Sequence, residues 1–419
     1  MRPAGLVATV VAAMSLASPE PQTVTPQSCV QSARAEAVAR QRQTQPMTAA
    51  ILRQIEADRI ASVRKCAAAF DLDKTAPQDL AGLADLYAEA MQPDLAERAI
   101  ARGMQPGLLD TESQAALLGT GIRNLLRQPK SPERNAKAEA YMTRLDSLPE
   151  AALDQQLAAH LALNGYYRGD DIDAGIIRHS TWLIDIAPKL NADRRRRFGF
   201  QILGAYENLA EVLAGQGEHQ RAVELLQRAP RELSDVPGAE RRVAQSLERY
   251  LLVGKPAAAI SAPVWLNTPP GTTALEMKGS VTLLQFTAHW CGPCRESYAG
   301  IQRLRQRFAN RPFRVVFATE LYGYFEGERN LPAAEEVARD RTYFAGLGLD
   351  VPVAIGRNGE STVDGRPVYT PDPNTLAYAV SGIPQINVID REGTLRLIMI
   401  GYDDANEERL ASFIETLLR

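Results

Sequence analysis

Hydrophobic positions follow two different patterns along the chain. From residue 29 to about residue 252 apolar residues recur at helical spacing, and Pro and Gly stand between the helical stretches. From residue 280 onwards short apolar runs alternate with amphipathic stretches, which is typical of buried strands alternating with helices. The sequence therefore predicts an α-helical domain over residues 18–252 and an α/β domain over residues 253–419.

Two segments of the helical region, 80–103 and 206–230, share one spacing of residues. In each, a large residue precedes a Leu-Ala pair, another Ala follows twelve positions later, and a large residue follows four after that. This spacing resembles the tetratricopeptide repeat, in which small residues let two antiparallel helices approach closely. We therefore expect stacked helix pairs. Such repeats form a concave surface that binds a protein partner; the alternative is a helical domain that only packs on the C-terminal one.

The helical region begins with a predicted hairpin. A helix over 29–43 and a returning helix over 48–66 are separated by a turn that contains Pro46. Cys29 lies about 17 residues before Pro46 and Cys66 about 20 after it. At about 1.5 Å of rise per residue the two arms differ by about one turn, so the two cysteines come side by side. This position predicts a Cys29–Cys66 disulfide; the alternative is two separate thiols.

Composition narrows the class of protein. The chain has 419 residues, of which 45% are hydrophobic and 23% charged, as in a soluble globular protein of two or three domains. The net charge of −3 gives no electrostatic case for nucleic-acid binding. The four cysteines are too dispersed for a four-thiolate zinc site, because Cys29 and Cys66 lie far from the other two. We expect neither a metal nor another cofactor.

The N-terminus has the pattern of a secretory signal peptide. Arg2 precedes an apolar run over residues 5–14, and the small residues Ser15 and Ala17 stand at the two positions that a signal peptidase recognises. We expect cleavage after Ala17; a membrane anchor is the alternative, but the run is shorter than the ~20 residues that span a bilayer. The sequence thus predicts an exported protein, most simply a periplasmic one, in a compartment that permits disulfides.

The C-terminal region contains a regular series of predicted elements. A Pro-rich stretch over 254–273 is interpreted as a linker that leads into a strand. The predicted strands are 280–286, 313–320, 350–355 and a hairpin over 381–402, and the predicted helices are 295–311, 331–348 and 403–419.

A CxxC pair, Cys291 and Cys294, stands directly between the first of these strands and its helix. A metal clip, a structural disulfide and a redox centre are the three alternatives. A zinc ribbon would need a second CxxC nearby, and the sequence has none. At a helix N-terminus the free N–H groups stabilise a thiolate, and Pro293 after Gly292 suits the first turn. The position favours a redox pair in which Cys291 attacks a disulfide and Cys294 resolves the mixed disulfide.

The sequence WCGPC at 290–294, followed about ninety residues later by GIPQINVIDREG, resembles the thioredoxin superfamily. Within it, residues 255–419 look like the exported TlpA/ResA-like thiol–disulfide oxidoreductases. The resemblance implies that Ile383–Pro384 is a cis dipeptide facing the sulfurs, with the Ile383 backbone pairing with a substrate strand. It implies Trp290 beside the sulfurs, protein disulfides as substrates and a membrane-embedded thiol electron donor.

Three features depart from the family pattern. Gln285 stands where thioredoxin has a buried aspartate, and Ser297 stands where related proteins often have a glutamate. Glu296 and Glu320 are therefore the candidates for the proton acceptor, although an ordinary surface charge is the simpler explanation for each. Residues 356–376 form an insertion, which either flanks the active site or is an inert loop.

The direction of electron flow follows from the dipeptide between the cysteines. Gly-Pro is the thioredoxin dipeptide, and thioredoxin has a potential of about −270 mV, against about −120 mV for the oxidant DsbA. A protein-disulfide reductase is therefore expected. The alternatives are an oxidase or isomerase of disulfides, or a helical scaffold whose thioredoxin-like domain holds one client. A peroxidase is disfavoured, because Thr287 is four residues before Cys291, whereas peroxiredoxins have Thr three before a lone cysteine.

Overall fold

The computed structural model describes residues 24–44, 48–169, 173–363, 366–402 and 404–419. The predicted signal peptide and the turn around Pro46 lie outside these residues. The helices are α1 (Pro26–Gln43), α2 (Ala49–Ala67), α3 (Leu80–Glu89), α4 (Pro93–Gly103), α5 (Thr111–Leu126), α6 (Pro132–Asp146), α7 (Leu153–Gly169), α8 (Asp173–Ile186), α9 (Ala192–Gly215), α10 (His219–Glu232), α11 (Ala239–Tyr250), α12 (Gly292–Arg307), α13 (Ala333–Gly346), α14 (Pro373–Ala377) and α15 (Asp404–Leu418). The strands are β1 (Ile260–Ser261), β2 (Val264–Leu266), β3 (Ala274–Leu275), β4 (Val281–Phe286), β5 (Phe313–Leu321), β6 (Tyr324–Phe325), β7 (Glu328–Arg329), β8 (Val353–Arg357), β9 (Gly359–Val363), β10 (Arg366–Thr370), β11 (Gln385–Ile389) and β12 (Leu395–Ile400).

The chain divides into two compact units, residues 1–156 and 157–419, and the division falls within α7. Helices α8 to α11 therefore belong to the same unit as the strands. The change from helix to strand comes between the end of α11 at Tyr250 and the start of β1 at Ile260. The predicted domain boundary between residues 252 and 253 lies in this interval and stays a prediction.

The first unit contains the predicted hairpin, with α1 packed against α2. Threonines begin both helices: Thr25 Oγ1 accepts a hydrogen bond from the Ser28 N–H at 3.1 Å, and Thr48 Oγ1 accepts one from the Ile51 N–H at 3.3 Å. Cys29 and Cys66 form a disulfide with their Cα atoms 6.2 Å apart. This bond links the two ends of the hairpin that are remote from its turn.

The two repeat-like segments each form a pair of packed helices, α3 with α4 in the first unit and α9 with α10 in the second. The small residues of the pattern lie where each pair meets: Ala84 and Ala96 are at most 2% exposed, and Ala210 and Ala222 are fully buried. Gly217 turns the chain between α9 and α10 with φ +86°, a value that favours glycine. The assignment of these pairs as tetratricopeptide repeats stays a prediction.

The second unit is built around a six-stranded sheet with the strand order β12-β11-β4-β5-β8-β2. Strands β4, β5 and β8 are parallel, with Val281 opposite Phe313 at the start of β4. Strand β11 is antiparallel to β4, with Gln385 opposite Phe286, and β12 and β2 are antiparallel to their neighbours. Strand β2 lies within the stretch that was expected to be a linker, so this stretch forms one edge of the sheet.

Both faces of the sheet are covered, which explains the continuous apolar runs of its strands. In β4, Val281 and Leu283 face one hydrophobic core, and Leu284 and Phe286 face the other. Gln285 follows the alternation onto the same face as Leu283, and this face also holds Cys291 and Cys294. Helix α9 packs against the edge strand β12 and covers it.

Two of the predicted C-terminal helices, α12 and α13, fall within a few residues of their expected bounds. Within the described ranges, no helix combines the length and the apolar character needed to cross a membrane.

Candidate active site

The two cysteines of the CxxC pair lie where β4 ends and α12 begins. Cys291 is the N-cap residue of α12, Pro293 is in the first turn, and the Cys294 N–H points at Cys291 Sγ from 3.1 Å. The two residues form a disulfide with Cα atoms 5.2 Å apart. In the reduced state the same N–H and the positive end of the helix would stabilise a thiolate on Cys291.

The two sulfurs differ in access. Cys294 is fully buried and Cys291 is 3% exposed, so the first cysteine is the one nearer solvent. Their neighbours in the motif are more open: Trp290 is 44% exposed, Gly292 is half-buried and Pro293 is exposed. The Trp290 ring contacts Tyr322 edge-on, with centroids 5.3 Å apart. The exposed surface of the motif is therefore formed by Trp290 and Pro293.

The cis-proline segment lies directly beside Cys291. The Ile383–Pro384 peptide bond is cis, and Ile383 O is 3.7 Å from Cys291 Sγ. Ile383 is half-buried, Pro384 is buried, and the Gly401 N–H donates to Pro384 O at 2.9 Å. The structure thus brings together Cys291, Cys294, Trp290 and the Ile383–Pro384 dipeptide, which the sequence separates by about ninety residues.

A cavity of about 220 Å³ opens between Trp290 and the cis-proline segment. Its walls combine aromatic and aliphatic side chains with a polar end. The lining residues are Phe286, Thr287, Trp290, Ala318, Thr319, Glu320, Tyr322, Asp372, Thr375, Val380, Ser381, Gly382 and Ile383. Asp372 and Thr375 come from the insertion over residues 356–376, so part of the insertion flanks the site.

Glu320 is the carboxyl of this cavity with a perturbed pKa. Burial raises the pKa of its carboxyl, and the charge of Asp372 raises it further. The carboxyl accepts two long hydrogen bonds, from Asn358 Nδ2 at 3.4 Å and Thr375 Oγ1 at 3.3 Å. Glu296, the other candidate proton acceptor, is exposed on α12 and does not line the cavity. A role for either carboxyl in proton transfer stays a prediction.

A neutral pair of side chains lies beneath Cys294. Gln285 Nε2 donates to Ser297 Oγ at 3.0 Å, and the Ser297 hydroxyl is 2.7 Å from Cys294 O. Both side chains are fully buried. Gln285 faces the CxxC side of the sheet, and Ser297 lies one helical turn after Cys294. These two residues, which both depart from the family pattern, therefore contact each other. Neither group is a base at neutral pH.

An aromatic shell that the sequence did not reveal surrounds His289. Its ring stacks on Phe325 with centroids 4.3 Å apart and meets Tyr324 edge-on at 5.4 Å. The residue is 5% exposed, and burial lowers the pKa of the imidazole. Burial of His289 thus disfavours a positive charge two residues before Cys291. Below it, Thr287 Oγ1 and Tyr298 Oη are 2.7 Å apart.

Comparisons with known proteins give the following similarities. No protein-family model and no curated protein matches the chain. A candidate thiol:disulfide interchange protein DsbE from Chlorobium tepidum is 24% identical, with 40% of this chain and 98% of that one covered and a TM-score of 0.30. The thioredoxin-like superfamily protein SPOA0173 is 21% identical, with 39% and 96% covered and a TM-score of 0.30. A thiol-disulfide isomerase from Corynebacterium glutamicum is 17% identical, with 39% and 96% covered and a TM-score of 0.29.

The C-terminal part of the chain has a thioredoxin-like fold. The features of that fold in this chain are the strand order β12-β11-β4-β5-β8-β2, the cysteine pair at the start of α12 and the cis-proline before β11.

Proposed function

We propose that this protein is an exported protein-disulfide reductase that acts through the Cys291–Cys294 dithiol. One observation carries the proposal: the N-cap sulfur of α12, Cys291 Sγ, lies 3.7 Å from the carbonyl oxygen of Ile383 in the cis-proline segment. A nucleophilic sulfur beside the half-buried backbone of Ile383 is an arrangement that can hold an extended peptide while its disulfide is attacked.

The reaction transfers two electrons from the dithiol to the substrate. The Cys291 thiolate attacks one sulfur of the substrate disulfide, a mixed disulfide forms, and the second substrate sulfur leaves as a thiolate. Cys294 then loses its proton and attacks Cys291 Sγ, which releases the first substrate sulfur. The protein ends with the Cys291–Cys294 disulfide, and the substrate ends with two thiols once its sulfurs have taken up protons.

Substrate recognition is assigned to the Ile383 backbone and to the neighbouring cavity. A strand paired with Ile383 would place its cysteine at Cys291 and a nearby side chain in the cavity. The aromatic walls suit the apolar stem of that side chain, and the carboxyl of Glu320 suits a hydrogen-bond donor or a positive charge at its end.

The reducing direction is supported by the Gly-Pro dipeptide and by the burial of His289, which lowers the pKa of its imidazole and so disfavours an imidazolium near the Cys291 thiolate. A reductase in an oxidising compartment needs a supply of electrons, which we assign to a membrane-embedded thiol donor. The similar structures are described as thiol:disulfide interchange and isomerase proteins, which supports disulfide chemistry in general.

The test is the reduction potential of the Cys291–Cys294 pair, measured by equilibration with dithiothreitol and with Trp290 fluorescence as the readout. A variant with Cys29 and Cys66 replaced by serine serves as the control for the other disulfide. A value close to the about −270 mV of thioredoxin is expected. A value close to the about −120 mV of DsbA would replace the proposal with an oxidase or isomerase.

A further inference from the structure

Helix α11 reaches the loop that leads into the cis-proline. Arg249 Nε donates to Ala379 O at 3.3 Å, and its Nη2 also bonds the Ser381 hydroxyl. Gln245, one turn earlier on the same helix, donates to Val380 O at 3.4 Å. Arg249 is only 3% exposed, and its two bonds to the loop are partly buried.

The bonded loop, residues 379–382, is one wall of the active-site cavity and continues into Ile383. Its two ends are fixed by the thioredoxin-like part: Tyr378 Oη donates to Ala258 O at 2.5 Å, and Gln385 Nε2 donates to Tyr378 O at 2.9 Å. Ala379 has φ +46°, an unfavourable value for a residue with a side chain, and needs outside support. The carbonyl oxygens of residues 379 and 380 receive that support from α11.

The buried charge of Arg249 makes this contact hard to break. Within the described residues its guanidinium forms no salt bridge with a carboxylate, and it lies 5.7 Å from the centroid of the Tyr250 ring. A buried cation is costly unless its donors are bonded. Movement of the loop away from α11 would leave those donors without the Ala379 and Ser381 oxygens, so the charge favours one loop position.

Helix α11 is itself fixed to the sheet that carries the loop. It packs on α9, and the Arg242 Nε–H donates to Glu207 of α9 at 2.7 Å. Helix α9 packs on β12, which pairs with β11, and β11 starts directly after the cis-proline. Within residues 157–419, α11 therefore contacts the loop directly and is also connected to it through α9 and the sheet.

We propose that Arg249 is a positioning residue for substrate binding, and that α11 sets the place of the Ile383 backbone relative to Cys291. The proposal rests on the proposed function. Loss of Arg249 should weaken the binding of a peptide disulfide. The reactivity of the two cysteines should stay unchanged, because no sulfur atom contacts the arginine.

The experiment compares Arg249→Ala, Arg249→Lys and the control Arg241→Ala, which removes an exposed arginine of the same helix that takes no part in the contacts above. Reduction of a synthetic peptide with one internal disulfide gives KM and kcat. Reduction of hydroxyethyl disulfide, which has no peptide backbone to pair with Ile383, measures the reactivity of the cysteine pair alone. For Arg249→Ala we expect a roughly ten-fold higher KM for the peptide, with the same kcat, the same rate with hydroxyethyl disulfide and the same reduction potential. Arg249→Lys should recover part of the loss, because lysine keeps the charge without the planar fork. Arg241→Ala should match the wild type.

An unchanged peptide KM in folded Arg249→Ala would overturn the inference, and so would equal losses with both disulfides. If circular dichroism shows that Arg249→Ala does not fold, Ser381→Ala decides instead: a two- to three-fold higher peptide KM supports the role of the contact, and a wild-type KM overturns it. A potential close to that of DsbA in the wild type would instead defeat the proposed reductase, independently of how Arg249 behaves.

Discussion

A buried carboxyl on α13 should make the stability of the second unit depend on pH. Asp340 is 1% exposed, and neither of its carboxyl oxygens has a hydrogen-bond partner among the described residues. One turn earlier, Glu336 accepts hydrogen bonds from the N–H groups of Tyr322 and Gly323 at 2.7 and 2.8 Å. Burial, and secondly the charge of Glu336, raise the pKa of Asp340 to about 7. We predict that Asp340→Asn removes a pH-dependent loss of stability.

The sign and size of the effect follow from the two pKa values. Because the native carboxyl has a higher pKa than the 3.8 of the unfolded chain, the native state binds the proton more tightly. The stabilisation that this bound proton gives the native state is complete below about pH 4 and is lost as the pH rises to about 7. A difference of about 3 in pKa corresponds to about 4 kcal/mol at 1.36 kcal/mol per unit. Local rearrangement around the charge reduces this figure, so we expect about 2–4 kcal/mol.

Urea unfolding followed by tryptophan fluorescence measures this effect in the correct part of the chain, because all three tryptophans, at positions 182, 265 and 290, lie in the second unit. Between pH 4.5 and pH 8.5 the free energy of unfolding of Asp340→Asn should rise by about 2–4 kcal/mol relative to that of the wild type, with an unchanged m value. Asp350→Asn, a change at an exposed carboxyl of the same unit, is the matched control and should follow the wild type.

Parallel pH profiles for Asp340→Asn and the wild type would refute the reasoning. They would mean that the Asp340 carboxylate has a partner that stabilises its charge, and that burial alone does not determine its pKa. The comparison is insensitive to the cost of the buried asparagine amide, because that cost is the same at every pH.

Three further predictions concern the active site. Cys294→Ser should accumulate a mixed disulfide between Cys291 and substrate, seen by mass spectrometry under non-reducing conditions. Ser297→Ala should lower the free energy of unfolding by about 1–3 kcal/mol in urea titrations, because the buried amide of Gln285 loses its partner. Glu320→Gln should lower kcat/KM about five-fold for a disulfide peptide with lysine beside its cysteine, and leave a peptide with glutamate there unchanged or improved; equal losses with both peptides would contradict it.

Local patterns predicted the core of the thioredoxin-like part because they have local causes. The run at 280–286 forms β4 at residues 281–286, and its burial on both faces is what an unbroken apolar strand requires. The position of Cys291 at the start of α12 followed from Pro293 and from the strand before it. The cis state of Ile383–Pro384 was implied by a family resemblance and not by any local pattern.

The features of the fold and the site that the sequence did not predict depend on contacts between distant segments. The Pro-rich stretch at 254–273 contains β2, whose partner β8 lies about ninety residues later, and no local signal distinguishes such an edge strand from a linker. His289 and Asp340 are single ionisable residues whose pKa values depend on burial by other elements. The same holds for Arg249, which is one of many arginines on helices until the fold places it against the cis-proline loop.

In the proposed reductase, one set of elements positions the sulfurs and another positions the loop beside the cis-proline. The sulfurs are held by β4 and α12, and the groups beneath Cys294, Gln285 and Ser297, are neutral and bonded to each other. Because these two side chains carry no charge, the electrostatic stabilisation of a Cys291 thiolate comes from the N-terminus of α12. The loop at residues 379–382, in contrast, is held from α11, a helix that ends before the first strand of the sheet, β2, begins. Changes in that helix can therefore alter which disulfides are reduced while leaving the reduction potential unchanged.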